Sequence, residues 1–355
     1  MKENKRLYSL DYLRGLAALG IMIYHYLSWE YGTFEADSFL GRIGIYGVAV
    51  FYVLSGLTLY HVYFHKMDFN FGSLSDFYIK RIFRIFPLLW LVMLITIYLA
   101  EQKPDGYTVF LNFTGLFSVL SWDNYIGVGV WSIGNELVFY LFFALFIVLS
   151  KKQKGWFYAL SAAILLLHFY FAFFMLQEES DLSRQWAVYV NPLNQVFLFL
   201  AGYLIGWWGE GREVPYYLSF ILLALSVAAF IFYPVEGDQI MLVTNTNRLV
   251  FTGICLLLCF AIYKTDFSLP PFLHQKLRML GEASYSVYLL HPIVLHYVKL
   301  GFAALGAQYM TFSVPAQLYT AGLLTLLISY QVYKRFEKLF MKAGKSAAEI
   351  YRPAV

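Results

Sequence analysis

Residues 10–26 read LDYLRGLAALGIMIYHY, an apolar run interrupted by Asp11, Arg14 and His25. With its flanks, 9–28, the stretch has roughly the 20 residues that a helix needs to cross about 30 Å of hydrocarbon. Eleven steps of 100° separate Arg14 from His25, about 20° beyond three full turns, so both share one face about 16 Å apart along the axis. Asp11 lies one turn below Arg14. The preceding Lys2, Lys5 and Arg6 imitate the start of a secretory signal. However, Asp11 and Arg14 break the apolar run and no small-residue cleavage site follows convincingly, so the stretch reads as a retained first span.

The rest of the 355 residues agrees with that reading: 60% are hydrophobic, 20% aromatic and only 14% charged, with a mean hydropathy of +0.60. A soluble domain carries about 25% charged residues, and surface-to-volume scaling limits how much apolar material a core can hide. An ordinary cytosolic enzyme, a disordered chain and a nucleic-acid binder are excluded, and the lipid bilayer is the expected partner. The net charge of +4 is too small to call for a polyanion. Cys255 and Cys259 lie four apart in an apolar run without His or acidic company, so they read as packing residues, and no metal site is expected.

A hydropathy pass gives ten spans, near 9–28, 43–64, 84–100, 131–150, 156–176, 187–208, 215–233, 247–263, 279–300 and 313–333, with 107–120 as a re-entrant or interfacial segment. The N-terminus, 65–84, 151–155, 209–214, 264–278 and the C-terminal tail together hold 20 of the 26 Lys and Arg. The positive-inside rule then puts both termini in the cytoplasm, as an even span count also requires. With no internal repeat or linker, the expected fold is an all-α polytopic membrane protein: one membrane domain, 1–340, and a short cytoplasmic tail, 341–355.

Ionisable groups within spans are costly and point to function. Arg14 and His25 qualify in the first span, and Glu136 in the fourth, WSIGNELVFYLF (131–142), with Asn135 beside it and Tyr140 one turn on. Measured from their respective span ends, Glu136 and His25 are expected at a similar depth, where a carboxylate fixes a histidine tautomer and raises its basicity. Arg81 and Arg84, in YIKRIFRIFPLLWL (78–91), share a helical face at the cytoplasmic mouth, a suitable phosphate clamp. Ser284, Tyr288 and His291 share a face in LGEASYSVYLLHPIVL (280–295). Each of these also has a plain structural reading: a polar stripe packed against neighbours, a protonated Glu136 bonded to another helix, ordinary juxtamembrane arginines, a satisfied core histidine.

Five stretches together carry a resemblance. The opening Arg, ten residues, then His resembles the first span of the membrane-bound acyltransferase 3 family. FYVLSGLTL (51–59, with Ser55 and Gly56) resembles its second-span Phe-x-x-Ser-Gly element, and 78–91 its Arg-x-x-Arg segment. Residues 131–142 resemble its Trp-Ser-Leu-x-x-Glu-x-x-Phe-Tyr block, and 280–295 its late Ser-Tyr-x-x-Tyr-Leu-x-His block. Asn135 and Leu137 stand where many members carry a second acid. No esterase-like stretch is read after residue 333, so two-stage transfer through a second domain of the same chain is not the expectation.

The resemblance implies a multi-pass enzyme of the bacterial cytoplasmic membrane. It would move an acyl group, commonly acetyl, from cytoplasmic acyl-CoA to a hydroxyl of an extracytoplasmic glycan or glycolipid. Arg14, Arg81 and Arg84 would dock the CoA phosphates, His25 would act as base or acyl carrier, and Glu136 would orient it. Asp11, Ser55, Trp131, Asn135, Tyr140, Ser284, Tyr288 and His291 would line the pocket or meet the acceptor. The competing reading is a transporter or flippase for a lipid-linked sugar, which commonly shows inverted repeats that this chain lacks.

Overall fold

The computed structural model describes residues 6–265, 269–306 and 312–351. Lys2, Lys5, the middle of the 264–278 connection and Arg352 of the expected tail lie outside the described residues. Those residues are folded into helices, with no strand among them: α1 (Tyr8–Tyr31), α2 (Phe39–Tyr63), α3 (Phe71–Leu99), the short α4 (Gly106–Thr114) and α5 (Phe117–Leu120), and α6 (Val130–Lys152). Next come α7 (Lys154–Tyr170), extended by one wide π turn over Phe171–Met175, then α8 (Trp186–Tyr189), α9 (Pro192–Gly209), α10 (Tyr216–Phe232), α11 (Ile240–Val243) and α12 (Asn245–Lys264). The chain finishes with α13 (Pro271–Glu282), α14 (Ser284–Gly306), α15 (Val314–Val332), a second π turn over Tyr333–Glu337, and α16 (Lys338–Glu349).

Each of the ten expected spans coincides with one of the longer helices. By length and composition, six are long and apolar enough to cross a membrane: α2, α3, α6, α7 with its π turn, α12 and α14. A seventh arises if the pair Leu182–Tyr189 and Pro192–Gly209, bent by 66°, is one span. The protein is therefore polytopic. Large apolar side chains face outward along these helices and along α10 and α15, among them Leu141, Leu166, Phe174, Phe232 and Leu327, each more than half exposed. In water such a surface would be a liability; in lipid it is the expected exterior, since helices satisfy their own backbone.

Side-chain caps set several helix starts. Ser38, Asn70 and Asn191 accept from the first-turn amides of α2, α3 and α9, and Asp105 accepts from Tyr107 N and Thr108 N at the head of α4, filling donors that a helix start leaves orphaned. Arg42, only 2% exposed, donates to the carbonyls of Ala36, Phe230, Ile231 and Tyr233. It thereby closes the end of α10, whose last carbonyls have no helical partner.

Glycines decide how closely the central helices approach. α2 packs most extensively against α9. A Cβ on Gly56 would lie 2.0 Å from the carbonyl oxygen of Phe199, and one on Gly202 would lie 2.0 Å from that of Val53. Small residues at a helix crossing allow such backbone contact where lipid supplies no hydrophobic driving force. α1 lies across α2, α13 and α14, and α16 lies along α3.

The connections predicted to be basic gather at one end of the bundle. There Arg6 meets Glu282, Lys151 donates to the carbonyl of Met67, Lys264 donates to that of Arg212, and Arg84 pairs with Glu337. This end is called the basic end below, and the other the far end.

Candidate active site

Two helices bring three guanidinium groups into one cavity near the basic end. Arg14 from α1 donates to the hydroxyl of Thr58 on α2 at 3.0 Å, and its other arm lies 3.4 Å from Asp11. Arg81 and Arg84 project from consecutive turns of α3. Arg81 lies over the rings of Tyr63 and Tyr140, at 5.7 and 5.9 Å, and its buried Nε has no hydrogen-bond partner among the described residues. Arg84 pairs with Glu337, which also accepts from Ser286.

This cavity, of about 170 Å³, is lined by Arg14, Ser55, Thr58, Arg81, Arg84, Glu136, Tyr140, Ser284 and Tyr288 among others. A second cavity, of about 680 Å³, opens below it and is lined by Lys66, Lys80, Lys345 and Asp76, with Arg81 and Arg84 common to both. Five cations against one acid give it a positive potential. The two arginines form the boundary between a cationic vestibule and a narrower chamber within the helices.

Glu136 does not orient His25. Its Oε1 accepts from Ser55 Oγ at 2.8 Å and from Tyr140 OH at 2.7 Å. The reason is where α6 starts. Residues 106–129 fold into α4, α5 and a turn, and Gly129, with φ +78°, ends that excursion against Tyr288, whose hydroxyl donates to the Gly129 carbonyl at 3.2 Å. α6 therefore begins well inside the bundle, and Glu136 lands beside Ser55, about one turn from Arg14 and about two turns short of His25.

His25 finds another partner. Its Nδ1 lies 2.8 Å from Nε2 of His291 on α14, and Trp29, one turn on, lies parallel to both rings. This pair sits beyond the inner end of the cavity. Tyr288, which lines the cavity, has its ring centroid 6.3 Å from that of His291. Arginines, carboxylate and histidines thus follow one another from the basic end towards the far end.

The remaining expected residues are dispersed. Asp11 bonds Arg6 at 2.8 Å and Arg14. Asn135 donates to Tyr52 OH at 3.2 Å, just behind the cavity wall. Trp131 packs against Trp186 and Tyr189 instead of lining the cavity. Four residues escaped the sequence reading. Thr58 and Trp29 were within reach, being three beyond Ser55 and four beyond His25 on the same helical faces. Tyr63 and Glu337 were not, since an aromatic at a helix end and an acid in a basic tail carry no sequence signal. Among the described residues no group of His, Cys, Asp and Glu could hold a metal ion.

Known proteins resemble this chain along most of its length. A Staphylococcus aureus (strain COL) protein named "Putative O-acetyltransferase" is 23% identical over 99% of this chain and 60% of its own length. The exopolysaccharide production protein ExoZ of Rhizobium meliloti (strain 1021) is 26% identical over 86% of this chain and 92% of its own. A Bacillus subtilis (strain 168) protein named "Putative peptidoglycan O-acetyltransferase YrhL" is 23% identical over 82% of this chain and 49% of its own. The chain thus spans about 60% of the length of the staphylococcal relatives. No solved structure matches it. The family model described as an acyltransferase domain matches residues 7–334, nearly the whole described chain, and the protein belongs to that family, acyltransferase 3.

Proposed function

We propose that the protein is an integral membrane O-acyltransferase that moves an acetyl group from acyl-CoA at the basic end to a hydroxyl of an envelope or lipid-linked glycan at the far end. Ten helices cross the membrane, with both termini and the basic end in the cytoplasm. The observation that carries the reading is the order of the groups: a cationic vestibule, then Arg81 and Arg84, then a chamber holding Arg14 and Glu136, then the histidine pair.

Each group has a task in that order. The CoA phosphates bind Lys66, Lys80, Lys345 and Arg81, whose unpartnered Nε offers a donor inside the wall; charge-assisted bonds of this kind are the strong ones. The pantetheine arm threads past Arg14 and Glu136. Ser55 and Tyr140 occupy Glu136 Oε1, leaving Oε2 to accept from an amide of the arm. The thioester then reaches Tyr288 and the histidines. His25 takes the proton of the acceptor hydroxyl, the oxygen bonds to the thioester carbonyl carbon, the C–S bond breaks, and the proton passes from His25 to the departing sulfur. Ser284 and Tyr288 line the path of the arm, and Trp29 presents an aromatic face to the sugar. A relative named for peptidoglycan and another named for exopolysaccharide support an envelope glycan as acceptor.

The test uses purified protein in lipid nanodiscs with radiolabelled acetyl-CoA and a cell-envelope glycan extract. Base-labile label should accumulate on the glycan with the wild type. It should fall by about 10²-fold or more with His25→Ala, while that variant still inserts and accumulates. Undiminished labelling by His25→Ala would remove the catalytic assignment. Sugar translocation in vesicles lacking any acyl-CoA would favour a transporter instead.

A further inference from the structure

We infer that His291 is a positioning residue that dictates which nitrogen of His25 carries the lone pair. The inference rests on the reading of His25 as the base, and it names a partner for that base on a different helix.

His25 projects from α1 and His291 from α14. The two rings lie within 9° of parallel with centroids 5.0 Å apart, and Nδ1 of His25 is 2.8 Å from Nε2 of His291. That contact alone permits either ring to donate. The other side of His291 resolves it: its Nδ1 is 3.2 Å from the carbonyl oxygen of Val287, one turn earlier on α14. A carbonyl only accepts, so the proton of a neutral His291 sits on Nδ1 and its Nε2 is an acceptor. The proton shared between the rings therefore belongs to Nδ1 of His25, and the lone pair of His25 lies on Nε2. No group among the described residues hydrogen-bonds that Nε2.

The surroundings hold this arrangement. Trp29 lies 6° from parallel with His25 and 7° with His291, covering both. The hydroxyl of Tyr26 donates to the backbone carbonyl of His291 at 2.9 Å and meets Thr325 on α15 at 2.8 Å, so three helices are tied at this depth. Carbonyl, imidazole and imidazole form a chain that does for His25 what a carboxylate does beside the histidine of a hydrolase triad, without a second buried charge to desolvate. When Nε2 of His25 takes the hydroxyl proton, Nδ1–H keeps donating to His291. No proton moves to His291, and the one on Nε2 leaves with the sulfur.

Two substitutions separate positioning from packing. His291→Leu fills the space but offers no acceptor, whereas His291→Gln keeps one in Oε1. With radiolabelled acetyl-CoA and the envelope-glycan extract as probes, His291→Leu should lower kcat by about 10²-fold with the KM for acetyl-CoA and the thermal midpoint unchanged. His291→Gln should recover kcat to within about tenfold of the wild type. Equal losses in the two variants, a full kcat in His291→Leu, or loss of folded protein in both would overturn the inference. His25→Ala is run alongside. If it is inactive while His291→Leu is fully active, the pairing alone fails; if it is as active as the wild type, the reading beneath it fails.

Discussion

At the scale of single residues, the arginines are not equivalent. Arg84 is committed to Glu337, whose side chain is only 1% exposed, whereas Arg81 keeps a buried donor without a partner. Arg81→Ala should therefore raise the KM for acetyl-CoA by about 10–100-fold, the worth of one charge-assisted phosphate contact, with kcat largely kept in steady-state kinetics. Arg84→Ala should instead lower the thermal midpoint in detergent. It strands a buried carboxylate at about 2–3 kcal/mol, less than a fully buried pair because the Arg84 side chain is 24% exposed. Both arginines were visible in the sequence because charge is scarce and the two are three apart. Their difference was not, because Glu337 is 253 residues away from Arg84 and reaches it only through tertiary packing. The pairing of His25 was hidden for the same reason. Depth counted from span ends assigned it Glu136, and the inward start of α6 invalidated the count.

At the scale of elements, the Ser-Gly dipeptide of α2 divides into two tasks. Ser55 holds Glu136, while Gly56 permits contact with α9. Gly202→Ala should cost about 1–3 kcal/mol through overpacking, read as a lowered thermal midpoint, whereas Gly253→Ala, where a Cβ meets nothing within 4 Å, should be neutral. Helix α4 offers a pH test. The backbone and hydroxyl donors of Thr108, with Tyr107 N, hold the Asp105 carboxyl below its ordinary 3.8. A depressed carboxylate contributes stability above its unfolded value and loses it as pH falls through the folded one. The protection of amides 107–114, corrected for the pH dependence of intrinsic exchange, should therefore fall below about pH 4, and should already be low at neutral pH in Asp105→Ala. The six helices long and apolar enough to cross a membrane were legible because lipid demands about 20 apolar residues from each span. The α4–α5 excursion was legible only as a short apolar stretch, since where such a segment turns back depends on Gly115, Gly127 and Gly129 at positive φ, not on hydropathy.

At the scale of the whole molecule, the claim is transport of an acetyl group from one face of a membrane to the other without transport of CoA. Sidedness can be read first by cysteine labelling, because the two native cysteines, Cys255 and Cys259, are fully buried and should stay silent. Lys152→Cys should react with an impermeant maleimide only from the cytoplasmic side, and Glu179→Cys only from outside. The central claim is then tested most directly in sealed proteoliposomes of known orientation. Radiolabelled acetyl-CoA is supplied only to the basic face and the envelope-glycan extract only to the far face. Base-labile label should appear on the glycan, dependent on His25, with CoA remaining on the side where it was added. Label that appears only when donor and acceptor share one face would contradict the claim.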